Sequence, residues 1–238
     1  MRGLTWFLVA TALACSEREP RRLPNEDERP PAESVRRAPA PDAVADSAVT
    51  RPKVLIVGTS LTAGLGLDPE DAYPAILQRM ADSAGYRVDV VAAGVSGETS
   101  AGALRRIDWL LQRDANVIVI ETGANDGLRG LDVDSTRANL REILGRARAA
   151  KPSAQLFLVQ MEAPPNLGQR YTMAFRAMFP EVARDAGAQL IPFLLDGVAA
   201  VPELNQPDGI HPNTQGSERV AANVWRSLEP AMRGVSRP

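Results

Sequence analysis

Two segments of the sequence hold the residue types that acyl-transfer chemistry needs. They are Gly58-Thr59-Ser60-Leu61 and Pro207-Asp208-Gly209-Ile210-His211-Pro212. A serine hydroxyl is a poor nucleophile until a base takes its proton, and His211 is the only histidine of the chain. A carboxylate three residues earlier can accept a hydrogen bond from the imidazole and orient it. We therefore predict Ser60 as the nucleophile, His211 as the general base and Asp208 as the orienting acid.

Simpler interpretations exist for His211 and Asp208. A lone histidine is usually an ordinary surface or core residue, and Asp208 could be a turn residue or a helix cap. The Gly-x-Ser-x-Gly elbow of the α/β-hydrolase fold is excluded, because Thr62 stands where that motif has its last glycine. The glycines do not form the dinucleotide-binding pattern, no Walker A lysine is present, and no cluster of histidine, cysteine and carboxylate suggests a metal site. We expect neither a metal nor another cofactor.

The elements that must position these residues can be predicted from hydropathy. Short apolar runs predict buried strands over residues 53–58, 88–92, 117–120, 156–159 and 189–193. Helical spacing of apolar residues predicts helices over residues 72–84, 100–111, 135–149, 172–186 and 215–228. Such alternation predicts an α/β fold, a three-layer α/β/α sandwich with a flavodoxin-like, five-stranded parallel sheet and helices on both faces.

Ligands of such sheets bind beyond the carboxyl ends of the strands, and polar clusters follow four of the predicted strands. Besides the two segments above, Gly94 opens a loop after the second strand, and Gly123-Ala124-Asn125-Asp126 follows the third. Glycine and asparagine often do no more than end a strand. Four such clusters at one edge favour a functional site.

In these four places the sequence resembles the SGNH (GDSL-type) hydrolases, over residues 53–229. It is most similar to the bacterial arylesterase, thioesterase I and lysophospholipase L1 branch. The resemblance implies a serine esterase that acts through an acyl-enzyme. It also implies an oxyanion hole formed by the backbone N–H groups of Ser60 and Gly94 and the side-chain amide of Asn125. The family usually has aspartate where this chain has Thr59, whose hydroxyl can also form local hydrogen bonds.

The resemblance also bears on the substrate. Residues 127–131 correspond to a flap over the acyl group in related esterases. Several apolar residues could line a groove there, although each could equally pack in the ordinary way; they are Leu61, Leu128, Leu131, Met161, Pro164 and Pro165. Such a groove would suit short to medium acyl or aryl esters and thioesters. Three glutamates are expected at the surface or behind the site, namely Glu121, Glu162 and Glu203.

Other functions remain open at this point. A carbohydrate O-deacetylase would use the same fold and residues, although an apolar flap favours acyl esters. A non-catalytic, ligand-binding lipoprotein of the cell envelope is the alternative suggested by Thr59. A signalling receiver of similar topology would need an acidic cluster and a lysine at the strand ends, and neither is visible.

The first part of the chain predicts export. Residues 1–15 resemble a signal peptide, with a basic Arg2, an apolar run too short to span a bilayer and a lipobox-like end at Cys15. Lipidation of Cys15 would attach the protein to a membrane; otherwise it would be periplasmic or secreted. Residues 16–51 are rich in proline and charge and predict a disordered linker, which leaves residues 52–238 as the hydrolase domain.

Composition limits the partners. The protein has 238 residues, of which 45% are hydrophobic and 24% charged, so it can bury a substantial core. A net charge of −2 gives no reason to expect nucleic-acid binding, and a single cysteine excludes an intramolecular disulfide. The expected partner is a small acyl ester. The sequence leaves the oligomeric state open.

Overall fold

The computed structural model describes residues 50–236; the predicted signal peptide, the lipidation site at Cys15 and nearly all of the predicted linker lie outside this range. Five strands form one sheet in the described part. They are β1 (Lys53–Gly58), β2 (Asp89–Gly94), β3 (Val117–Ile120), β4 (Gln155–Val159) and β5 (Gln189–Ile191). Each predicted strand is present, with ends that shift by a few residues. The last one stops at Ile191 because Pro192 has no N–H to continue the ladder.

Helices connect and cover these strands. They are α1 (Ser60–Ala63), α2 (Tyr73–Ser83), α3 (Ser100–Leu110), α4 (Ala124–Leu128), α5 (Val133–Ala150), α6 (Gln169–Asp185) and α7 (Thr214–Ser236). Short 3₁₀ turns lie at Pro69–Asp71, Pro165–Leu167 and Pro202–Leu204. The five predicted helices are all present, and the last extends eight residues beyond its predicted end. The short helices α1 and α4 were not predicted.

The sheet has the strand order β2-β1-β3-β4-β5, and every pair is parallel. This is the flavodoxin-like order, which places a topological switch at β1. Helix α2 packs against α7, whereas α5 packs against both α3 and α6. Right-handed crossovers put these two groups on opposite faces of the sheet. The predicted three-layer α/β fold is confirmed.

The core lies on both sides of the central strands. All four residues of β3 are buried, as are Val54 to Gly58 of β1, which explains their continuous apolar character. Helix α5 turns an apolar stripe toward the sheet, formed by Leu140, Ile143, Leu144 and Ala147. Complete burial of each large aliphatic side chain contributes about 1.5–3 kcal/mol. Within residues 50–236, no helix combines the length and apolar character that crossing a bilayer requires.

The register of the sheet brings three loops together. Gly58 at the end of β1 pairs with Gly94 at the end of β2, and Val57 pairs with Ile120 at the end of β3. Parallel strands that end level release their following loops at the same edge. The residues after β1, β2 and β3 are therefore neighbours in space, as the position of the predicted site requires.

Candidate active site

Ser60 is the first residue of α1, and only Thr59 separates it from the end of β1. Thr59 is the N-cap of α1, with extended backbone angles, and its hydroxyl accepts a hydrogen bond from the Leu61 N–H at 3.5 Å. Helix α1 ends after one turn because Gly64 adopts a left-handed conformation, with φ of 68°. Ser60 is 7% exposed. The turn thus holds the serine at the sheet edge with little freedom.

The structure brings Ser60, His211 and Asp208 together. The Ser60 Oγ lies 2.8 Å from His211 Nε2, and His211 Nδ1 lies 2.6 Å from Asp208 Oδ2. With its proton on Nδ1, the imidazole donates to the carboxylate, and its Nε2 accepts from the serine hydroxyl. The three residues therefore form one continuous chain of hydrogen bonds across 151 residues of sequence.

Asp208 is held ionised by its own loop. Its Oδ1 accepts hydrogen bonds from the backbone N–H groups of Ile210 at 2.9 Å and His211 at 3.0 Å. The backbone N–H of His211, the His211 side chain and the Ile210 N–H lower the pKa of Asp208 to about 2. Gly209 allows this tight turn with φ of 67°.

We call residues 205–212 the base loop, and its two ends are joined. Asn205 and Pro212 form an antiparallel bridge, and the Gln206 N–H donates to the His211 carbonyl at 2.7 Å. The Gln206 side-chain amide donates to the Pro212 carbonyl at 2.9 Å and, outside the loop, to the Leu65 carbonyl at 2.7 Å. Gln206 thus ties the base loop to the segment that follows Ser60. Sequence reasoning missed it, since a glutamine beside a motif has no chemical signature.

The predicted oxyanion-hole residues lie at the same edge. Gly94 is the last residue of β2, and a Cβ added there would lie 2.3 Å from the Ala63 nitrogen and 2.7 Å from the Thr59 carbonyl oxygen. Glycine is therefore needed at this position to let β2 approach α1 closely. The half-buried Asn125 donates one amide hydrogen to the Glu98 carbonyl at 3.1 Å, which orients the side chain and leaves its second N–H as a donor.

An ion pair that the sequence did not reveal fastens the ends of β1 and β2. The Arg106 guanidinium donates to the Glu98 carboxylate at 2.6–2.9 Å. The same guanidinium donates to the backbone carbonyls of Gly58 at 3.2 Å and Ala93 at 2.8 Å. Since Glu98 also holds Asn125 through its carbonyl, this pair connects the loops after β1, β2 and β3.

A buried carboxylate contacts the residues on either side of Ser60. Glu121 is 0% exposed and accepts hydrogen bonds from the Thr59 N–H at 2.8 Å, the Thr59 hydroxyl at 3.0 Å and the Thr62 hydroxyl at 2.7 Å. The Tyr73 hydroxyl lies 2.7 Å from that of Thr62. Burial raises the pKa of Glu121 from 4.5 to about 7, although its hydrogen bonds oppose the change. Glu121 was expected either at the surface or behind the site, and it lies behind the site.

The residues predicted to line a substrate groove divide into two groups. Leu128 and Leu131 are 44% and 40% exposed, just after Asn125, and Leu61 and Pro164 are half-buried. Met161 is 1% exposed and packs in the hydrophobic core, so its side chain offers no surface to a substrate. This corrects the prediction for Met161: an apolar residue just past a strand can as well continue the core as line a groove.

Further predicted residues can be placed. Pro165 is exposed in a 3₁₀ turn, and Glu162 and Glu203 are exposed, as expected for glutamates. Glu162 pairs with Arg176 at 3.4 Å. In residues 50–236 no group of three or more histidine, cysteine, aspartate or glutamate side chains is arranged to hold a metal ion.

Comparisons with known proteins show which proteins this chain resembles. A profile of the GDSL-like lipase/acylhydrolase family matches residues 56–219. Esterase TesA of Pseudomonas aeruginosa is 41% identical over 180 residues, which cover 75% of this chain and 89% of that protein. Thioesterase 1/protease 1/lysophospholipase L1 of Escherichia coli K12 is 38% identical over 178 residues, with 74% and 83% covered. The solved structure of esterase EstA from Pseudoalteromonas sp. superposes with a TM-score of 0.72 at 35% identity, with 76% and 98% covered.

Proposed function

Because the chain belongs to the GDSL-like (SGNH) lipase/acylhydrolase family and is a carboxylic ester hydrolase, we propose that it is a serine esterase with Ser60, His211 and Asp208 as its triad. The observation that carries the proposal is the continuous hydrogen-bond chain, 2.8 Å from Ser60 Oγ to His211 Nε2 and 2.6 Å from His211 Nδ1 to Asp208. These distances suit direct proton transfer from the serine.

In the acylation step, Ser60 Oγ attacks the carbonyl carbon of the ester while His211 Nε2 takes the hydroxyl proton. Asp208 remains ionised and stabilises the imidazolium. Collapse of the tetrahedral intermediate breaks the bond to the leaving group, which receives the proton from Nε2. A water molecule then attacks the acyl-enzyme, with His211 again as base, and releases the acid and Ser60.

The negative charge on the intermediate needs donors, and three are available at this edge of the sheet. We assign this role to the backbone N–H groups of Ser60 and Gly94 and to the second N–H of Asn125. Ser60 begins α1, so its N–H is among those that the helix leaves without an internal acceptor. Loss of one such donor typically costs about 10²–10³ in turnover.

For the substrate we propose short to medium acyl or aryl esters, extending to thioesters and lysophospholipids. The exposed Leu128 and Leu131 adjoin the loop that carries Asn125, and they offer an apolar surface to an acyl chain. Relatives that this chain matches are named an esterase and a thioesterase/lysophospholipase. These names and the apolar surface support acyl esters rather than acetylated carbohydrates.

The nucleophile can be tested with a fluorophosphonate probe, which labels an activated serine. The structure of EstA is described as inhibited by monoethylphosphonate, a related phosphorus group. We expect the wild-type protein to be labelled and to hydrolyse p-nitrophenyl esters. Ser60→Ala should lose the label and about 10⁴- to 10⁶-fold in kcat, because no other group replaces the nucleophile.

The matched control is Ser96→Ala, which removes an exposed serine from the loop after β2 and should leave both properties intact. A wild-type protein that neither reacts with the probe nor cleaves any ester would refute the proposal and favour a ligand-binding lipoprotein. A series of p-nitrophenyl esters of increasing chain length, assayed beside acetylated sugars, then ranks the substrates.

We also propose that the protein is exported and carries a lipid on Cys15. The support is the signal-like pattern of residues 1–15, which ends at this cysteine. Metabolic labelling with a fatty acid, followed by membrane fractionation, tests it. Label and membrane association should be lost in Cys15→Ser; a protein that is never labelled would contradict lipidation while leaving the esterase proposal untouched.

A further inference from the structure

Glu121 is a buried carboxylate that contacts both flanks of the proposed nucleophile. It receives the backbone N–H and hydroxyl of Thr59, immediately before Ser60, and the hydroxyl of Thr62, two residues after it. Gly58 makes room for these contacts: a Cβ there would lie 2.4 Å from Glu121 Oε2 and 2.0 Å from the Thr62 hydroxyl oxygen. The turn that presents Ser60 is therefore built around this side chain, although Glu121 does not touch the reacting atoms.

All of these contacts to Glu121 come from hydrogen-bond donors. An ionised carboxylate only accepts, and its two oxygens can serve these three donors, whereas a protonated carboxyl must donate one hydrogen itself. Protonation of Glu121 would therefore point the hydrogen of its carboxyl at one of these donors, or force a threonine hydroxyl to rotate away. Since Thr59 and Thr62 lie on either side of Ser60, that rearrangement would displace residues 59–62, which we call the nucleophile turn.

On this basis we propose that Glu121 is a positioning residue of the esterase site, which in its ionised form fixes the Thr59–Thr62 turn and so holds Ser60 for attack. The proposal rests on the proposed function of Ser60. In this role Glu121 aligns the Ser60 hydroxyl with His211 and the Ser60 N–H with the oxyanion. Misplacement of a reacting group by about 1 Å can cost about 100-fold in rate.

The surroundings of Glu121 make this role sensitive to pH. Burial is the main cause that keeps its pKa at about 7, so the carboxyl takes up a proton just below neutrality. The titratable group facing it from α2 is Tyr73, whose own pKa is raised well above 10.0 by burial and by the charge of Glu121, so Tyr73 stays neutral. The nearby charges on α3 and its preceding loop are those of Arg106 and Glu98, which are paired with each other.

Two protons should therefore inactivate the enzyme as the pH falls. One is taken up by the general base of any serine esterase, which must be neutral to accept the serine proton. The other binds to Glu121 and releases the turn. On a plot of log kcat/KM against pH, the acid limb of the wild-type enzyme should approach a slope of two. An enzyme that is inactivated by the uptake of a single proton gives a slope of one.

The test is the pH profile of the full-length Glu121→Gln variant, with p-nitrophenol release followed at its isosbestic wavelength. Glutamine keeps the shape but cannot become charged. We expect a slope of one on the acid limb. Above pH 8 we expect kcat to be about 10- to 100-fold lower than in the wild type, with KM changed less than about two-fold, since alignment and not binding is lost.

Three further variants separate positioning from stability. Asn223→Ala removes a buried amide that bonds the Leu194 and Asp196 carbonyls, neither of which belongs to the proposed site, and should lower stability while preserving kcat and the slope of two. Thr62→Val removes one donor to Glu121, so kcat should fall and the acid limb should move to higher pH. Thr62→Ser keeps that donor and should restore both, and this pair suffices if Glu121→Gln does not fold.

The outcomes also separate this inference from the proposed function. If wild-type protein is not labelled by a fluorophosphonate, the proposed function fails before Glu121 is considered. If the wild type is an active serine esterase but its acid limb has a slope of one, or Glu121→Gln retains wild-type kcat and a slope of two, Glu121 is not a positioning residue. Equal kinetics of Thr62→Val and Thr62→Ser would overturn the inference in the same way.

Discussion

Asp208 is the most exposed member of the proposed triad, with 44% of its side-chain surface accessible compared with 17% for His211. It orients the imidazole through a 2.6 Å hydrogen bond that starts from a surface loop. Water can partly replace an exposed carboxylate as a hydrogen-bond acceptor, but it cannot fix the tautomer of the imidazole. Asp208 should therefore matter for turnover more than for substrate binding.

We expect Asp208→Asn to lower kcat by about 10²- to 10⁴-fold, because the amide no longer enforces the tautomer that accepts the serine proton. KM should change little, and steady-state kinetics with a p-nitrophenyl ester measure both. Glu203→Gln is the control, since it neutralises an exposed carboxylate near the base loop without touching His211. An Asp208→Asn variant with wild-type kcat would remove Asp208 from the triad.

Some residues of the candidate site could be predicted from the sequence, and others could not. Ser60 and His211 could be predicted from the sequence because their chemistry is specific, and Asp208 because it lies three residues from His211. The role of Glu121 could not, since its donors lie 59 and 62 residues away and only the folded sheet brings them to it. Met161 was misassigned because apolar character alone does not say whether a residue faces the core or a groove.

At the scale of elements, the nucleophile turn depends on how closely β2 and α1 approach each other. Helix α1 begins two residues after the end of β1 and α4 begins four residues after the end of β3, and they last only four and five residues. Hydropathy patterns need a longer window, which is why these two helices were not predicted although their residues were. The long helices and the strands were predictable because each repeats its buried face several times.

Gly94→Ala should disturb this contact, because its Cβ would lie 2.3 Å from the Ala63 nitrogen. The backbone of α1 cannot yield as a flexible side chain would, so we expect a loss of about 1–3 kcal/mol in the free energy of unfolding. The shift of α1 should also lower kcat by about 10- to 100-fold. Chemical denaturation and steady-state kinetics measure the two effects.

Gly145→Ala is the matched control for that substitution. Gly145 lies inside α5, and an added Cβ would meet no atom within 4 Å. Alanine is favoured over glycine in a helix by up to about 1 kcal/mol, so this variant should be as stable as the wild type or more so, with unchanged kcat. If Gly94→Ala behaved like Gly145→Ala, the close approach of β2 and α1 would not be required.

For the whole molecule, Glu121 links stability to pH. Its pKa is raised on folding from 4.5 to about 7, so between these values the folded protein holds a proton that the unfolded chain has lost. This contribution to stability is complete below pH 4.5 and disappears as the pH rises through 7. The difference amounts to about 3 kcal/mol.

We therefore expect the free energy of unfolding of the wild type to fall between pH 5 and pH 8 by more than that of Glu121→Gln, with a difference of about 3 kcal/mol. Urea denaturation at the two pH values measures it. Other groups that titrate in this range contribute equally to both proteins and cancel in the comparison. Parallel pH dependences in the two proteins would show that burial of Glu121 does not disfavour its charge.

Because the two ends of the base loop are joined, the alignment of this site depends mainly on one separation, that between the base loop and Ser60. The imidazole and its carboxylate stand on this one closed loop, so a displacement of the loop would change the gap to Ser60 but keep their mutual 2.6 Å contact. The side-chain amide of Gln206 reaches from the loop to the Leu65 carbonyl and opposes such a displacement. A single amide that carries no proton of the reaction can therefore set how firmly the general base is held against the nucleophile.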